Sequence, residues 1–427
     1  MRSWPEVPRN PCSAGVTDME RGTCRACGTR LTERVVDLGM SPLCESYVAD
    51  ADLDAMEPFY PLCVWVCGRC FLVQLNAYVP REEIFGEYAY FSSYSDSWLA
   101  HARAYADRMI AELRLTPQSR VVEVASNDGY LLQHFVARGI PALGVEPAAN
   151  VARVAEERGV RTLVEFFGRD LARRLAQRGE RADLVVANNV LAQVDDLNDF
   201  VAGLAELLAP DGTLTIEFPR LDRLIDETQF DTIYHEHFSY FSLHSAEHVL
   251  AAHGLAVTDA DDLPTHGGSL RVHVRHQAIA GDASPRVAAV RSRESTLGVA
   301  TIAYYRGFDE RVRETKRALL ELLTRIKRDG KRIVGYGAPG KGNTLLNYCG
   351  VRTDFVDFTV DRNPHKQGKF LPGTHIPILH PDRLREARPD FVLILPWNLT
   401  DEIVTQLAFV REWGARFIVP IPFPRIL

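Results

Sequence analysis

At 427 residues, with 46% hydrophobic and 25% charged residues, the chain is too long for one ordinary core and divides into two or three globular domains. A net charge of −7 excludes a nucleic-acid scaffold, which needs a basic excess, and no apolar run reaches the roughly 18 residues of a membrane span. Met1 to Glu20 carries three prolines and no apolar h-region, so it reads as a flexible tail on a cytoplasmic protein and not as a signal peptide.

A first block, 21–85, is poor in apolar periodicity but holds Cys24-Arg25-Ala26-Cys27 and Cys67-Gly68-Arg69-Cys70. Two Cys-x-x-Cys knuckles offer four thiolates to one tetrahedral zinc, and a small domain without a large core needs such a staple. Cys24, Cys27, Cys67 and Cys70 are therefore the expected metal ligands, with four reduced thiols or a redox dithiol as the alternatives. All four positions of such a site would be filled by protein, which gives the zinc a structural role.

The second block, 86–280, opens with a helix around Trp98 to Leu113 and then alternates strands and helices. Strands are expected at Arg120 to Ala125, Ala142 to Glu146, Asp183 to Asn188 and Thr213 to Phe218. Helices are expected at Tyr130 to Arg138, Ala149 to Arg158 and Phe200 to Leu208. That alternation indicates a largely parallel sheet covered on both faces. Ser126-Asn127-Asp128-Gly129 turns a strand into a helix, where glycine permits close approach of a ligand and amides can hold polar groups. Glu146 closes the next strand, where a carboxylate can accept from two ribose hydroxyls. A ligand-free α/β core is the alternative.

Tyr234-His235-Glu236-His237-Phe238-Ser239-Tyr240-Phe241 packs two imidazoles, a carboxylate and two phenols into one run. Its histidines are two apart, which rules out the zinc-protease helix. An extended run would send His235 and His237 to one side and Glu236 to the other, with one histidine free to act as a base.

The third block, 281–427, contains a long helix whose stripe is Phe308, Val312, Leu319, Leu323 and Ile326, ending near Gly330. A strand, Arg332 to Tyr336, leads into Gly335-Tyr336-Gly337-Ala338-Pro339-Gly340 and a helix from Asn343. Later strands are expected at Phe355 to Val360, Phe391 to Leu395 and Phe417 to Ile421. The glycine turn formally matches a dinucleotide site, with Asp357 or Asp361 as the ribose acid, so an NAD-dependent oxidoreductase is a rival reading; a plain structural turn is another. Gly342 after Lys341 excludes a Walker loop, while Lys341 beside a helix start suits a substrate diphosphate.

Together with Ala187-Asn188-Asn189-Val190-Leu191-Ala192, Phe230-Asp231-Thr232-Ile233, Pro264-Thr265-His266-Gly267-Gly268-Ser269-Leu270-Arg271 and Asp361-Arg362-Asn363-Pro364-His365-Lys366-Gln367-Gly368-Lys369, these segments resemble the sugar C-methyltransferases of branched deoxysugar (antibiotic) biosynthesis. The resemblance runs over nearly everything after Arg21. It implies an α/β protein with a small N-terminal zinc-binding module, a central Rossmann-like S-adenosylmethionine (SAM) methyltransferase domain and a C-terminal Rossmann-like domain. The implied reaction is methylation at C3 of a dTDP-linked 4-keto-6-deoxysugar, with SAM and structural zinc as cofactors. A nucleotide-sugar substrate is the expected partner, with no nucleic acid or membrane, and a monomer or small homo-oligomer as the assembly.

By motif position, His237 is the implied base, with Tyr88, Glu236 and Tyr234 as helpers. The implied cofactor contacts are Ser126, Asn127, Asp128, Gly129, Glu146, Asn188 and Asn189. Gln193, His266, Lys341, Asn343, Trp397 and Asn398 are the implied substrate contacts. Two positions depart from the family pattern, which has histidine at Gln193 and at Arg220. Gln193 cannot shuttle a proton near neutral pH, and Arg220 would add a charge for an anionic substrate.

Overall fold

The computed structural model describes residues 22–86 and 91–427. The expected tail and the candidate helper Tyr88 lie outside the described residues.

Three sheets organise the chain. The N-terminal sheet is antiparallel, with Glu33–Ser41, Tyr60–Val66 and Val73–Leu75 side by side. Its fourth strand is Ser239–Tyr240, so the histidine-rich motif of the middle block supplies an edge to the cysteine module. This strand crosses the boundary expected at residue 85.

In the middle sheet the spatial order is Arg161–Leu163, Ala142–Val145, Val121–Val124, Ala182–Asn188, Leu208–Pro219, Ser269–His276, Leu255–Leu263. The first five are parallel and the last two antiparallel. Every residue of Val121–Val124 is buried, Glu123 among them, as in a strand covered on both faces. The third sheet runs Ile378–Leu379, Thr359–Val360, Ile333–Tyr336, Phe391–Ile394, Arg416–Val419, Arg425–Ile426, antiparallel only at the last strand.

The long helix is Phe308–Arg328, and Phe308, Val312, Leu319, Leu323 and Ile326 are all buried on one stripe. Each such side chain contributes about 1.5–3 kcal/mol of burial free energy. The chain reverses at Gly330, whose φ of +71° suits glycine. Other expectations shrink for local reasons. Only Thr359–Val360 of the strand expected at 355–360 forms, because the amides of Phe355 and Val356 both bond to Arg352 O at the end of a turn. The helix expected at 130–138 contracts to Gln133–Val136, and the one expected from Asn343 begins at Gly340. Helix Pro285–Leu297, assigned from sequence to the third block, caps the middle domain: Glu294 accepts from the amides of Leu243 (2.6 Å) and His244 (2.9 Å) at the start of helix Leu243–Ala251.

The cores show how the blocks join. Apolar residues of the N-terminal sheet, among them Val36, Leu62 and Leu75, are continuous with the core of the third domain. Trp65, Leu72 and the cysteines are continuous with one face of the middle sheet. The N-terminal module is thus a wedge between the other two domains. Among the described residues no helix is long and apolar enough to cross a membrane.

Candidate active site

The thiols of Cys24, Cys27, Cys67 and Cys70 lie within 4.8 Å of one another, with Cys24–Cys70 and Cys27–Cys67 each at 3.5 Å. A tetrahedral zinc with Zn–S near 2.3 Å holds its sulfurs roughly 3.8 Å apart, so the cluster fits. Gln74 Nε2 donates to Cys24 Sγ (3.2 Å) and the Arg69 amide to Cys67 Sγ (3.4 Å), the second layer of donors that thiolates need. Arg25, inside the first knuckle, reaches outward. Its guanidinium donates to Leu75 O (2.6 Å) and Val194 O (3.4 Å) and lies 5.4 Å from the ring centre of Phe238.

A cavity of about 720 Å³ sits where the three domains meet. Glu45 lines it from the N-terminal module, Lys341, Asp361 and Asn398 from the third domain, and the strand ends of the middle domain form another wall. Ala125, Glu146 and Asn188–Asn189 sit at the carboxyl ends of three adjacent parallel strands, where the order of an open α/β sheet reverses and ligands bind. The backbone is strained here. Ala125, Asn127, Asn189 and His266 all have φ between +48° and +59°, and all line the cavity. Such conformations cost about 1–3 kcal/mol each and gather at ligand sites.

Glu146 Oε2 accepts from the Asn127 amide (3.0 Å) and Oε1 from the Ala148 amide (2.9 Å), leaving one lone pair on each oxygen. Burial pushes its pKa up to about 7 against those two donors. Asn188 Oδ1 and both side-chain polar atoms of Asn189 are buried with no protein partner. Leaving such atoms unmet costs about 1–3 kcal/mol each, and an adenosyl amino acid carries the ribose hydroxyls, amine and carboxylate that complement this wall.

Ser126, Asp128 and Gly129, expected to touch the cofactor, do not line the cavity. Ser126 packs on Gly144, and a Cβ on Gly129 would meet Ala155 and Val160 at 3.2 and 3.1 Å, so this glycine serves helix-to-strand packing. Asp128 accepts from the amide and hydroxyl of Ser93 and pairs with Arg158 (3.2 Å), while Asn127 Oδ1 accepts from the Ser92 amide (2.9 Å). The Asn-Asp pair holds the Phe91–Ser95 segment, part of which lines the cavity.

The histidine motif is a turn, closed by the His237 amide on Tyr234 O (2.9 Å). This overturns the extended geometry: the two histidines part company. His235 Nε2 sits 3.2 Å from Pro61 O with its ring against Tyr60, away from the cavity. Tyr234, Glu236 and His237 line the cavity together. His237 Nδ1 lies 3.1 Å from Thr232 O, and a carbonyl only accepts, so Nδ1 carries the hydrogen and Nε2 keeps its lone pair. Burial lowers the His237 pKa to about 4, with Lys341 and His266 adding to the effect. The ring is held by Tyr234 (centroids 4.1 Å apart) and Tyr240 (6.2 Å). Glu236 Oε1 accepts from Cys44 Sγ at 3.3 Å, a cysteine outside both Cys-x-x-Cys pairs.

On the third-domain side, Lys341 Nζ donates to Asn398 Oδ1 (2.8 Å) and lies 4.8 Å from the centre of the Trp397 ring. Burial draws its pKa down to about 8. Trp397 Nε1 donates to Asp231 Oδ2 (2.6 Å), so Trp397 forms a floor under Lys341 and does not itself line the cavity. Asp231 stood inside a quoted motif without a role; it is fully buried and its pKa rises to about 6. Asn343 does not reach the cavity; it is buried, accepting from Asn347 Nδ2 at 3.2 Å. His266 and Gln193 line the wall as expected, and His266 packs edge-on against Trp98.

Arg220 does not face the cavity. Its guanidinium is held by Asp222 and Asp262. The dinucleotide-like turn is likewise occupied by protein. Its Ala338 amide donates to Asp361 Oδ2 (2.7 Å), Ala338 O accepts from Tyr47 OH (2.6 Å) and Lys366 Nζ (3.0 Å), and a Cβ on Gly340 would lie 2.7 Å from Cys44 Sγ. Gly340 lets the N-terminal module approach, while a Cβ on Gly335 or Gly337 would meet Thr359 or Pro396 of the third domain itself.

Three domain-family models match in series: a zinc binding domain over residues 24–85, a methyltransferase domain over 98–260 and the C-methyltransferase C-terminal domain over 264–422. The C-methyltransferase NovU of Streptomyces niveus is 39% identical over 404 residues, 95% of this chain and 96% of that protein. A trans-aconitate 2-methyltransferase of Paracidovorax citrulli is 30% identical over 116 residues, 27% of this chain and 44% of its own. Among solved structures, the magnesium protoporphyrin IX methyltransferase ChlM of Synechocystis with bound SAM is similar at 16% identity and a TM-score of 0.34, covering 47% of this chain and 99% of that one.

Proposed function

Because the chain belongs to the C-methyltransferase family that includes NovU, and is thus a SAM-dependent C-methyltransferase with a zinc-binding module, we propose that it methylates C3 of a nucleotide-linked 4-keto-6-deoxysugar, dTDP-bound, in branched deoxysugar biosynthesis. One observation carries the reading: the unprotonated Nε2 of His237 shares a cavity with the unmet amides of Asn188 and Asn189.

A ketone at C4 acidifies the C3 proton. His237 Nε2 takes that proton, a step in which a placed base contributes about 10²–10⁴-fold. Tyr234 and Glu236 line the same pocket and orient the substrate; Tyr88 keeps the helper role its motif position implies. Glu146, Asn127, Asn188 and Asn189 hold SAM, which supplies an electrophilic methyl group when bound. Gln193, His266, Lys341 and Asn398 contact the substrate, and Trp397 and Asn343 act from behind them.

The test is incubation with dTDP-4-keto-6-deoxysugars in heavy water, first without SAM and then with it. Deuterium entering C3 without SAM, and with SAM a product about 14 daltons heavier than the unexchanged sugar in which methyl has replaced that deuterium, is the expected result. A second reading, methylation of a ketone that is not a sugar nucleotide, is favoured by Gln193, which places an amide in the cavity wall where the family pattern has an imidazole. No exchange on any sugar nucleotide, with SAM binding intact, selects that reading.

A further inference from the structure

Lys341 was expected to hold a diphosphate, but its surroundings suit another task. We propose that the Lys341 ammonium is a catalytic residue that meets the C4 carbonyl oxygen of the substrate as it becomes an enolate, and that it is not the diphosphate anchor. The assignment rests on the ketosugar reading above.

The ammonium has three donors and spends one on Asn398 Oδ1, leaving two for the cavity. Its platform is rigid and built by two domains. Trp397 is fixed through Asp231, and a Cβ on Gly267 (φ +88°) would lie 2.7 Å from its ring, so the indole packs against bare backbone. Asp231 bonds the indole and not the ammonium, so it stabilises the cation at one remove without neutralising it by contact. Lys341, His237 and His266 all line the same cavity. The cation therefore shares the cavity with the proposed base. A desolvated ammonium in that position can meet charge that develops only after the base has acted. Two other third-domain cations, Lys366 and Arg362, line the cavity. Lys366 is tied to Ala338 O, to Glu45 (3.2 Å) and to the Tyr47 ring, whereas Arg362 is exposed and lines the same cavity, the better place for a solvent-side diphosphate.

In the step itself, His237 Nε2 accepts the C3 proton and the C3–H electron pair becomes the C3=C4 π bond. The C4=O π pair moves onto oxygen, where Lys341 N–H donates to it. With SAM bound, C3 would form its bond to the methyl carbon as the S–CH3 bond breaks and that electron pair leaves on the thioether sulfur. The enolate oxygen pair then restores the C4 carbonyl and frees Lys341, while the C3 proton stays on His237 Nε2 until it is lost to water.

The experiment compares wild type, Lys341→Met and Lys341→Arg for kcat, KM of the dTDP-4-ketosugar, and deuterium entry at C3 without SAM. Loss of one oxyanion donor costs about 10²–10³-fold in kcat. Lys341→Met should therefore lose about 100-fold or more in both kcat and exchange, with KM within about threefold of wild type, and Lys341→Arg should recover part of the loss. A KM at least tenfold higher with kcat and exchange retained would make Lys341 the diphosphate anchor and overturn the assignment. Should Lys341→Met fail to bind SAM, Lys341→Arg decides alone: unchanged kcat with raised KM again overturns it. A wild type that neither exchanges nor methylates any such sugar refutes the substrate reading itself, and this assignment with it.

Discussion

The Nδ1 of His237 stands 3.1 Å from the carbonyl oxygen of Thr232, five residues earlier in the same turn. That contact fixes one tautomer and leaves the other ring nitrogen with the lone pair that the proposed base needs. Replacing His237 by Asn should cut methyl transfer and SAM-free C3 exchange by about 10²–10⁴-fold. SAM affinity, measured by calorimetry, should stay within about twofold. Near-normal turnover would remove His237 from the mechanism.

The same burial sets a pH profile. Since the ring pKa falls to about 4, the base is unprotonated above that value and loses activity only as pH drops through it. Measured for the sugar at saturating SAM, the acid limb of kcat/KM should therefore lie well below the ordinary imidazole value near 6.5. A limb at 6–7 would argue against a buried neutral base.

Glu146 gives a pH dependence in the same direction, but nearer neutrality, in cofactor binding. Its pKa of about 7 in the unliganded protein means that falling pH neutralises it, while ribose hydroxyls favour the ionised form. SAM should bind about three- to tenfold more tightly at pH 8 than at pH 6, and Glu146→Gln should flatten that dependence. An equal slope in the variant would assign the proton to another group.

Trp397→Phe removes the indole N–H that Asp231 accepts at 2.6 Å, leaving a buried carboxylate short of its donor. A loss of about 1–3 kcal/mol in denaturant unfolding is expected, together with a change in kcat through the displaced Lys341. Unchanged stability would mean that the carboxyl is met in another way.

The zinc cluster should matter to catalysis at a distance. None of its thiols lines the cavity, yet Arg25 in the first knuckle donates to Val194 O in the cavity wall and lies beside Phe238, which follows His237 in the chain. Chelation should lower the melting temperature and turnover together. Arg25→Ala should keep its full zinc content while KM for substrate or SAM rises. If zinc-free protein kept wild-type kinetics, this linkage would be refuted.

Patterns set by neighbours in sequence were legible from residues alone: the paired cysteines, the Phe308–Arg328 stripe, and the alternation that places Asn127, Glu146 and Asn188 at strand ends. Long-range partners were not. Nothing local to Arg220 announces that Asp222 and Asp262 will consume its charge, and the spacing of His235 and His237 hides that Tyr234 O closes a turn between them. Gly340 read as a phosphate turn because the thiol of Cys44 that it accommodates comes from nearly 300 positions away. Cys44 beside Glu236 left no trace in any motif.

The Ser239–Tyr240 strand, paired with Val73 and Gln74, makes the proton-handling turn the joint property of two modules. Any chimera that exchanges the cysteine module between relatives has to carry this strand and its preceding turn along with it. Left behind, the segment would face a foreign edge, and the reacting groups would lose their alignment although every one of them was still encoded.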